Sequence, residues 1–264
     1  MFATRAMTKI SVIMPAYNAA RTLSQAVRSV QSQTLRNWEL VICDDCSSDD
    51  TISLLKSISD PRVRWIRNST NLGPGLSRNR AMEYAKGDWF VFLDADDVWL
   101  SDRLEILLNA VDGNIAHVAF DDILICHDAG DDGLIPWRRL RGPQGFAHRN
   151  RSGRIFDVSA IDYLKSRRLL IQPFFSSHFV KVLKVVHSNR EFAEDAEFVI
   201  RLLAVGAKLR YVPEALYKYR LTKNSITALS SDLTAMRRCI ESCRDSINWS
   251  PEIVVAFDYK VKQL

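Results

Sequence analysis

The stretch DWFVFLDADD, residues 88–97, joins an apolar run to a cluster of acids. The run WFVFL has the length and composition of a buried strand. The acids that follow it are Asp94, Asp96 and Asp97. Clustered carboxylates need a cation, hydrogen-bond donors or open water to offset their repulsion and lost hydration. Asp-rich turns are common and often only cap a helix, but Ser101 and Asp102 already supply a cap and a first turn to the next predicted helix. We therefore expect the three acids to belong to a binding site.

Strand and helix patterns alternate before this stretch. The strand patterns are KISVIMPAYN (9–18), WELVICDD (38–45) and VRWIRN (63–68). The helix patterns are ARTLSQAVRSVQSQ (20–33), SSDDTISLLKSIS (47–59) and GPGLSRNRAMEYAKG (73–87), the last closing at Gly87. This alternation predicts an α/β fold with a mainly parallel central sheet flanked by helices. Ligands of such sheets bind beyond the carboxyl ends of the strands. We expect the Pro15–Asn18 loop, the Asp44–Asp45 pair and the acids of residues 94–97 to meet at that edge.

The pattern loosens after Asp97 and then returns. EDAEFVIRLLAVG (194–206) predicts a helix that ends at Gly206, and KLRYVPEALYKYRL (208–221) predicts a strand. The final segment, LSSDLTAMRRCIESCRDSI (229–247), predicts a helix whose apolar face packs on the body of the protein. That face consists of Leu229, Leu233, Met236, Ile240 and Ile247.

A basic segment lies between Trp137 and Phe156, where the sequence has no acidic residue. Its arginines are Arg138, Arg139, Arg141, Arg149, Arg151 and Arg154. The segment predicts an exposed, mobile loop, either merely solvated or facing phosphate groups or a membrane. The whole chain carries a net charge of +5, which favours anionic partners such as nucleotides or lipid phosphates. Nucleic acid is not an expected partner, because no recognisable module accompanies the basic residues.

Composition limits the class of protein. With 264 residues, 47% of them hydrophobic, the chain can bury a large core. Its apolar runs are too short to span a bilayer and its first residues lack a signal peptide's apolar region, so we expect a cytoplasmic protein. Five cysteines, an odd number, predict reduced thiols. A zinc site at Cys43 and Cys46 is disfavoured, because acids surround both thiols without any knuckle-like flanking pattern.

The order of the motifs resembles the inverting family-two glycosyltransferases of the GT-A fold. The segments that carry the resemblance are SVIMPAYN, VICDDCSSDDT, LGPGLSRNRAMEYAKGDWFVFLDADD and AEDAEFVIRLL with the later YVPEALYKYR. They cover roughly residues 9–225, and Cys46 replaces the glycine usual in that family. The resemblance implies a catalytic domain over residues 1–225 and a helical extension over 226–264. Within the domain, residues 1–100 would bind the nucleotide-sugar and 101–225 the acceptor.

The resemblance also implies roles on the donor side. Tyr17 would stack on the base, Asp45 would accept a hydrogen bond from uracil, and Arg78 would approach the base or the diphosphate. Asp94 would contact the ribose or the metal shell. The full set implied to bind the nucleotide is Pro15, Tyr17, Asn18, Asp44, Asp45, Arg78, Asp94, Ala95 and Asp96. A divalent cation, Mn or Mg, would be held by Asp96, with Asp97 a close competitor, because hard oxygen ligands suit these ions.

Catalysis would need one further group on the acceptor side. By resemblance, Asp195 is the general base that removes the proton of the acceptor hydroxyl, and Glu194 is its neighbour. From the residues alone, two acids placed favourably at the positive end of a helix are the more ordinary interpretation.

The expected activity is transfer of a sugar, a hexose from a uridine diphosphate donor, to a hydroxyl of a saccharide acceptor. The acceptor would be lipid-linked, as in exopolysaccharide or cell-surface glycan synthesis, which implies peripheral contact with the inner face of a membrane. Two alternatives stay open. One is a sugar-phosphate nucleotidyltransferase, which would be expected to carry a Gly-rich phosphate loop that PAYNAART does not provide. The other is a catalytically silent nucleotide-binding protein.

Overall fold

The fold begins with the predicted alternation of strands and helices. A computed structural model describes residues 8–111, 116–130, 133–140, 154–166, 169–190, 192–221 and 233–264. Its first elements are β1 (Ile10–Ala16), α1 (Leu23–Gln31), β2 (Trp38–Asp44), α2 (Thr51–Ser57), β3 (Val63–Arg67), α3 (Pro74–Tyr84) and β4 (Trp89–Phe92).

The second part of the chain is less regular. Its elements are β5 (Val98–Trp99), α4 (Arg103–Val111), β6 (Val118–Asp128), β7 (Leu134–Leu140), β8 (Phe156–Val158), α5 (Ala160–Lys165), β9 (Phe174–Ser176), α6 (His178–Lys181), α7 (Glu194–Ala204), β10 (Leu209–Leu221), α8 (Leu233–Ser246) and α9 (Pro251–Gln263). The short strands β5, β7, β8 and β9 were not predicted. β5, β8 and β9 have only two or three residues each, and β7 is exposed along most of its length, so none of them shows the pattern of a buried strand.

One mixed sheet runs through both parts in the order β3-β2-β1-β4-β9-β6-β10-β5, with β7 added to β6 and β8 added to β10. β1, β2, β3 and β4 are parallel, and so are β6 and β10. β9 is antiparallel to both β4 and β6, so it restores a common direction to the two parallel groups. The carboxyl ends of β1, β2, β4, β6 and β10 therefore share one edge, which we call the upper edge. The predicted α/β class is confirmed.

Helices cover both faces of the sheet, because the central strands are apolar on both sides. Val12 and Ile13, adjacent in β1, are both fully buried but belong to different core clusters. α1 and α4 contribute to the cluster around Val12, while α3 and α7 contribute to the cluster around Ile13. Burial on two faces explains why β1 is an unbroken apolar run apart from Ser11.

The role predicted for Gly87 is wrong. α3 ends at Tyr84, and Gly87 lies where the chain crosses closely over the start of β1. A Cβ atom at Gly87 would lie 2.6 Å from Oγ of Ser11 and 2.8 Å from the carbonyl oxygen of Lys9. The glycine is therefore required by close backbone approach rather than by the end of a helix.

Part of the basic segment is a β-strand. Arg138 and Arg139 lie in β7, which pairs antiparallel with β6, and Nε of Arg139 donates to Asp122 at 2.7 Å. The prediction of a connection beginning at Arg138 is wrong for these two residues, because strand pairing with β6 orders them. Arg154 is described and exposed, whereas residues 141–153 fall outside the described ranges.

The two C-terminal helices pack on the body of the protein, as predicted for α8. Ile240 is fully buried and Met236 packs against the core, whereas Leu229 and the side chain of Leu233 lie outside the described residues. α8 contacts α7, and α9 contacts α5. The proposed division at residue 225 stays a prediction. Within the described ranges no helix is both long and apolar enough to cross a bilayer, and all five cysteines are free.

Candidate active site

The loops after β1 and β2 are tied together at the upper edge. The backbone N–H of Asn18 donates to Oγ of Ser47 at 2.9 Å, and Oδ1 of Asn18 accepts from the N–H of Ser48 at 2.9 Å. Asn18 adopts a left-handed backbone conformation, with φ of 47°, which asparagine tolerates better than most residues. Beside it, the ring of Tyr17 is 52% exposed and is free to stack on a ligand. Pro15 lies within β1, where it pairs in register with Cys43.

Asp45 organises a third loop, residues 68–73. Its Oδ1 accepts from Nδ2 of Asn68 at 2.7 Å and from the N–H of Leu72 at 2.8 Å, and its Oδ2 accepts from the N–H of Gly73 at 2.8 Å. Asp44, its neighbour, is fully buried, and its Oδ1 has no hydrogen-bond partner among the described residues. The structure thus assigns Asp45 a role in shaping the loop, and its contact with a base stays a prediction.

Cys46 occupies the position at which a glycine was expected. Its φ is +64°, in the left-handed region that residues with a Cβ atom rarely adopt. The turn therefore needs the conformation that a glycine would supply without strain. Within the described residues its thiol makes one hydrogen bond, a long one of 3.5 Å to the carbonyl oxygen of Ser69.

The acid loop, residues 94–97, lies between β4 and β5. Asp97 is buried, and both of its oxygens accept hydrogen bonds from β10: Oδ2 from the hydroxyl of Tyr217 at 2.6 Å, and Oδ1 from the N–H of Arg220 at 2.8 Å. Burial and the charges of Asp96 and Asp94 raise the pKa of Asp97 well above its usual value. Asp97 therefore anchors the acid loop to β10.

Arg220 is a residue that the sequence argument missed. It is 2% exposed, and its Nε donates to the carbonyl oxygen of Asp96 at 2.6 Å. Its other nitrogens contact Asp128 at the end of β6, at 2.8 Å, and Oε1 of Gln25 in α1. One buried guanidinium thus fixes the backbone at Asp96 against two other elements. The available signal was YKYR, which places an arginine at the carboxyl end of the last strand.

Asp96 has the properties of a cation ligand. It is only half-buried, and no side chain in the described ranges donates a hydrogen bond to its carboxylate. Burial and the neighbouring charge of Asp94 raise its pKa to about 6. A metal ion would stabilise a carboxylate that has no side-chain donor. The site fits a metal ion that is shared with a bound ligand, because no three His, Cys, Asp or Glu side chains of the described residues are arranged to hold a metal. Mg²⁺ is commonly bound in that way, by one or two carboxylates together with phosphate oxygens.

Arg78 stands at the centre of the site and is 2% exposed. Its Nη2 donates to Oδ1 of Asp94 at 2.6 Å. Its Nη1 donates to Oδ1 of Asp195 at 2.8 Å and to Oε1 of Glu194 at 3.1 Å. One buried cation therefore faces three carboxylates, and the local charge stays negative.

Asp195 lies in the first turn of α7. The residue before the helix, Ala193, has φ of +62°, a strained conformation that sets the direction in which the helix starts. Oδ1 of Asp195 accepts from Arg78, while Oδ2 accepts from no described residue. Burial raises the pKa of Asp195, and the charges of Glu194 and Asp94 add to this effect against the opposing charge of Arg78. The side chain stays 21% exposed. It is thus a carboxylate of raised basicity that a hydroxyl group can reach.

The structure therefore brings the predicted residues of four segments to the upper edge. Asp94 and Asp195 are joined through Arg78. Asp45 is linked to α3 through the N–H of Gly73, which precedes the helix, and through Asn68, whose Nδ2 also donates to Oγ of Ser77 at 2.9 Å. Asp96 and Tyr17 make no hydrogen bond or ion pair with Arg78, and they lie in the loops after β4 and β1. These residues can bind an anion through a shared metal ion, and they hold a carboxylate that can act as a general base nearby.

Comparison with known proteins identifies the family. The model of glycosyl transferase family 2 matches residues 11–168, more than half of the chain. The chain belongs to this family. The resemblance drawn from the motifs is confirmed, and membership favours a glycosyltransferase over a nucleotidyltransferase.

The relatives of this family-2 chain include WfgD of Escherichia coli, a UDP-Glc:α-D-GlcNAc-diphosphoundecaprenol β-1,3-glucosyltransferase. The two are 43% identical over 100 residues, which span 38% of this chain and 40% of WfgD. Among solved structures, S. aureus TarS 1–349 in complex with UDP-GlcNAc aligns with a TM-score of 0.75 and 19% identity, over 95% of this chain and 71% of TarS 1–349. The mannosyltransferase PcManGT of Pyrobaculum calidifontis, in complex with GDP-Man and Mn²⁺, aligns with a TM-score of 0.72 and 15% identity, over 98% and 71% of the two chains. At these identities the structures establish the shared GT-A fold.

Proposed function

We propose that this family-2 chain is a metal-dependent inverting glycosyltransferase. It transfers a sugar, a hexose in our proposal, from a uridine diphosphate donor to a hydroxyl group of a lipid-linked saccharide. The observation that carries the proposal is the contact of Arg78 with both Asp94 and Asp195. The acid loop would face the donor. Through this contact, only the side chain of Arg78 separates the loop from Asp195, a carboxylate suited to act as a general base.

The donor would lie across the loops after β1, β2 and β4. Tyr17 would stack on the nucleobase, and Asp44 or Asp45 would accept a hydrogen bond from the N–H of that base. Asp94 would contact the ribose, and Asp96 would hold the cation, because both oxygens of Asp97 already accept hydrogen bonds. A bound Mn²⁺ or Mg²⁺ would neutralise the charge that develops on the departing diphosphate.

The transfer itself would be a single displacement. The acceptor oxygen attacks the anomeric carbon, the bond from that carbon to the diphosphate oxygen breaks, and its electron pair leaves with the nucleotide. Oδ2 of Asp195 takes the hydroxyl proton. Arg78 would keep Asp195 oriented through Oδ1, and the carboxylate of Glu194 would keep the net charge of the cluster negative. Attack opposite the leaving group inverts the anomeric configuration.

The substrate classes rest on the relatives. WfgD is named for a UDP-glucose donor and a GlcNAc-diphosphoundecaprenol acceptor, and TarS was solved with UDP-GlcNAc. PcManGT was solved with Mn²⁺, which supports a divalent cation. A lipid-linked acceptor would also bring the enzyme to a membrane surface, as a peripheral protein.

A donor panel tests the proposal. The purified chain is mixed with UDP-sugars and GDP-sugars, Mn²⁺ or Mg²⁺, and a short-chain lipid diphosphate that carries GlcNAc, and nucleotide release is measured. We expect release from a UDP-hexose, its loss with a chelator, and an inverted product by NMR. Asp195→Asn should lower turnover about 100-fold or more, while UDP affinity in calorimetry stays unchanged.

Three outcomes would contradict parts of the proposal. Equal UDP affinity with and without the chelator would remove the metal from Asp96. Near-normal turnover of Asp195→Asn would move the base to another carboxylate. Metal-dependent UDP binding without turnover on any donor would instead identify a silent nucleotide-binding protein. Glu83→Gln, an exposed acid on α3 away from these contacts, serves as the matched control.

A further inference from the structure

The outer strand β7 exposes large apolar side chains. Ile135 is 54% exposed and Trp137 is 60% exposed. All six tryptophans of the chain lie in described residues, and Trp137 is the one that is exposed; the others are buried or half-buried. Isolated exposed apolar residues are normal on a protein surface, but an Ile and a Trp two positions apart on an edge strand require an explanation.

The charge of β7 is positive. Residues 133–140 contain two arginines and no acid. Arg139 is paired with Asp122, whereas Arg138 is exposed and makes no hydrogen bond or ion pair with the described residues. We call Ile135, Pro136, Trp137 and Arg138 the β7 surface. It combines apolar side chains with one cation that has no partner among the described residues.

The β7 surface is poorly suited to pair with a strand of a second copy. Pro136 lacks an N–H, and the pairing of β7 with β6 shifts register between Ile125 and Cys126. A proline, a register irregularity and exposed arginines are features that protect an edge strand from further pairing. Its occupant is therefore expected to recognise side chains rather than the backbone.

The β7 surface lies close to the candidate active site. β7 runs antiparallel to β6, and Ile135 is opposite His127, next to the carboxyl end of β6 at the upper edge. The following residue, Asp128, pairs with Arg220, which in turn holds the backbone of Asp96. The ring of Trp137 lies 5.3 Å from the ring of His127. A body seated on this surface would lie beside the mouth of the site.

We propose that the β7 surface binds an anionic bilayer surface. Tryptophan favours the boundary between head groups and acyl chains, where its ring is buried and its N–H stays hydrated. Arginine is attracted by anionic head groups. Contact at β7 would present the upper edge to an acceptor whose lipid stays in the bilayer. This inference rests on the proposed lipid-linked acceptor for its purpose, but the binding can be measured without turnover.

Vesicle sedimentation of the full chain tests the proposal. The vesicles contain either phosphatidylglycerol with phosphatidylethanolamine, or phosphatidylcholine alone. We expect binding to the anionic vesicles that weakens as salt rises from about 0.1 M to about 0.5 M, because the Debye length shortens. With brominated lipids the tryptophan fluorescence should be quenched, and Trp137→Phe should remove most of this quenching.

Variants separate the apolar and the charged contributions. Trp137→Ser should weaken partition about tenfold or more, since a large apolar side chain is no longer buried. Arg138→Ser should weaken it about fivefold at low salt and less at high salt. The matched controls are Val255→Ser, an equally exposed apolar residue on α9, and Arg28→Ser, an exposed arginine on α1. Both should bind like the wild type.

The outcomes distinguish this inference from the proposed function. If UDP binds with metal but Trp137→Ser and Arg138→Ser sediment like the wild type, the β7 surface is not the membrane contact, whereas the proposed function stands. If the wild type binds both vesicle types equally, the charge argument fails. If Trp137→Ser leaves vesicle binding intact but converts a dimer to a monomer in gel filtration, the occupant is a second copy. Loss of UDP binding in the wild type would contradict the proposed function instead.

Discussion

Arg78 and Asp195 lie 117 positions apart in the sequence, yet Nη1 of Arg78 donates to Oδ1 of Asp195 at 2.8 Å. The same guanidinium contacts Asp94 through Nη2. The geometry requires two nitrogens on a planar group, because the two carboxylates approach from different sides. A buried ion pair of this kind costs desolvation, so we interpret it as a device that positions the proposed base relative to the acid loop.

Arg78→Lys tests that role. Lysine keeps the charge but lacks the planar fork, so it cannot hold Asp94 and Asp195 together. We expect turnover to fall about 100-fold, as for a misplaced catalytic group, together with a lower melting temperature because the half-buried carboxylates lose a partner. Arg62→Lys, on the surface pair with Asp60, is the control. Unchanged turnover in Arg78→Lys would show that the fork is not needed.

The pH dependence of transfer should reflect the crowding of acids around Arg78. A base works when it is deprotonated, so activity rises with pH through its pKa. The pKa of Asp195 is raised by burial and by the charges of Glu194 and Asp94. As the pH falls, activity should therefore be lost at a higher pH than it would be with an ordinary aspartate, whose pKa is near 3.8. Glu194→Gln removes one of these charges and should move this acid limb to lower pH. The measurement is kcat against pH, and a shift in the opposite direction would contradict the assignment.

Cys46 offers a test of stored backbone strain. A residue with a Cβ atom in the left-handed region costs about 1–2 kcal/mol, while glycine loses extra conformational entropy on folding. Cys46→Gly should therefore stabilise the protein by about 0.5–1 kcal/mol in urea unfolding. Cys46→Ala keeps the strain and removes the thiol, so it should not stabilise. Equal effects of the two variants would assign the change to the thiol rather than to the backbone.

The sequence predicts what local patterns encode. β1, β2, β3 and β4 were found because apolar runs ended in polar clusters, and the same runs brought Asp45 and Asp94 to one edge. The start of α7 at Glu194 followed from its periodicity. Each of these predictions depended on residues within about one element of each other.

Contacts between distant segments could not be predicted. Tyr217 and Arg220 form hydrogen bonds with the acid loop, more than 100 positions away in the sequence, and no short sequence pattern predicts these contacts. Gly87 was assigned to a helix end because its close approach to Ser11 depends on how α3 packs on β1. The engagement of both oxygens of Asp97, which favours Asp96 as the metal ligand, is likewise a result of tertiary packing.

Arg220 provides a prediction about metal binding that does not change any acid. Its Nε holds the carbonyl oxygen of Asp96, and its other nitrogens hold Asp128 and Gln25. Arg220→Lys keeps a positive charge but cannot make all three contacts, so the acid loop should lose its fixed position. We expect the affinity for UDP in the presence of Mn²⁺ to fall about tenfold, the size of one lost hydrogen bond to a charged group.

The affinity for UDP measured with a chelator should be unchanged by Arg220→Lys, because the base and ribose contacts do not depend on this arginine. Arg210→Lys is the matched control on the same strand, since Arg210 pairs with Asp157 away from the site. Calorimetry with and without Mn²⁺ gives both affinities for each variant. A fall that is equal in the two conditions would mean that Arg220 supports the whole fold rather than the loop that carries Asp96. In that case the melting temperature should fall in parallel, which a thermal scan of the same samples would detect.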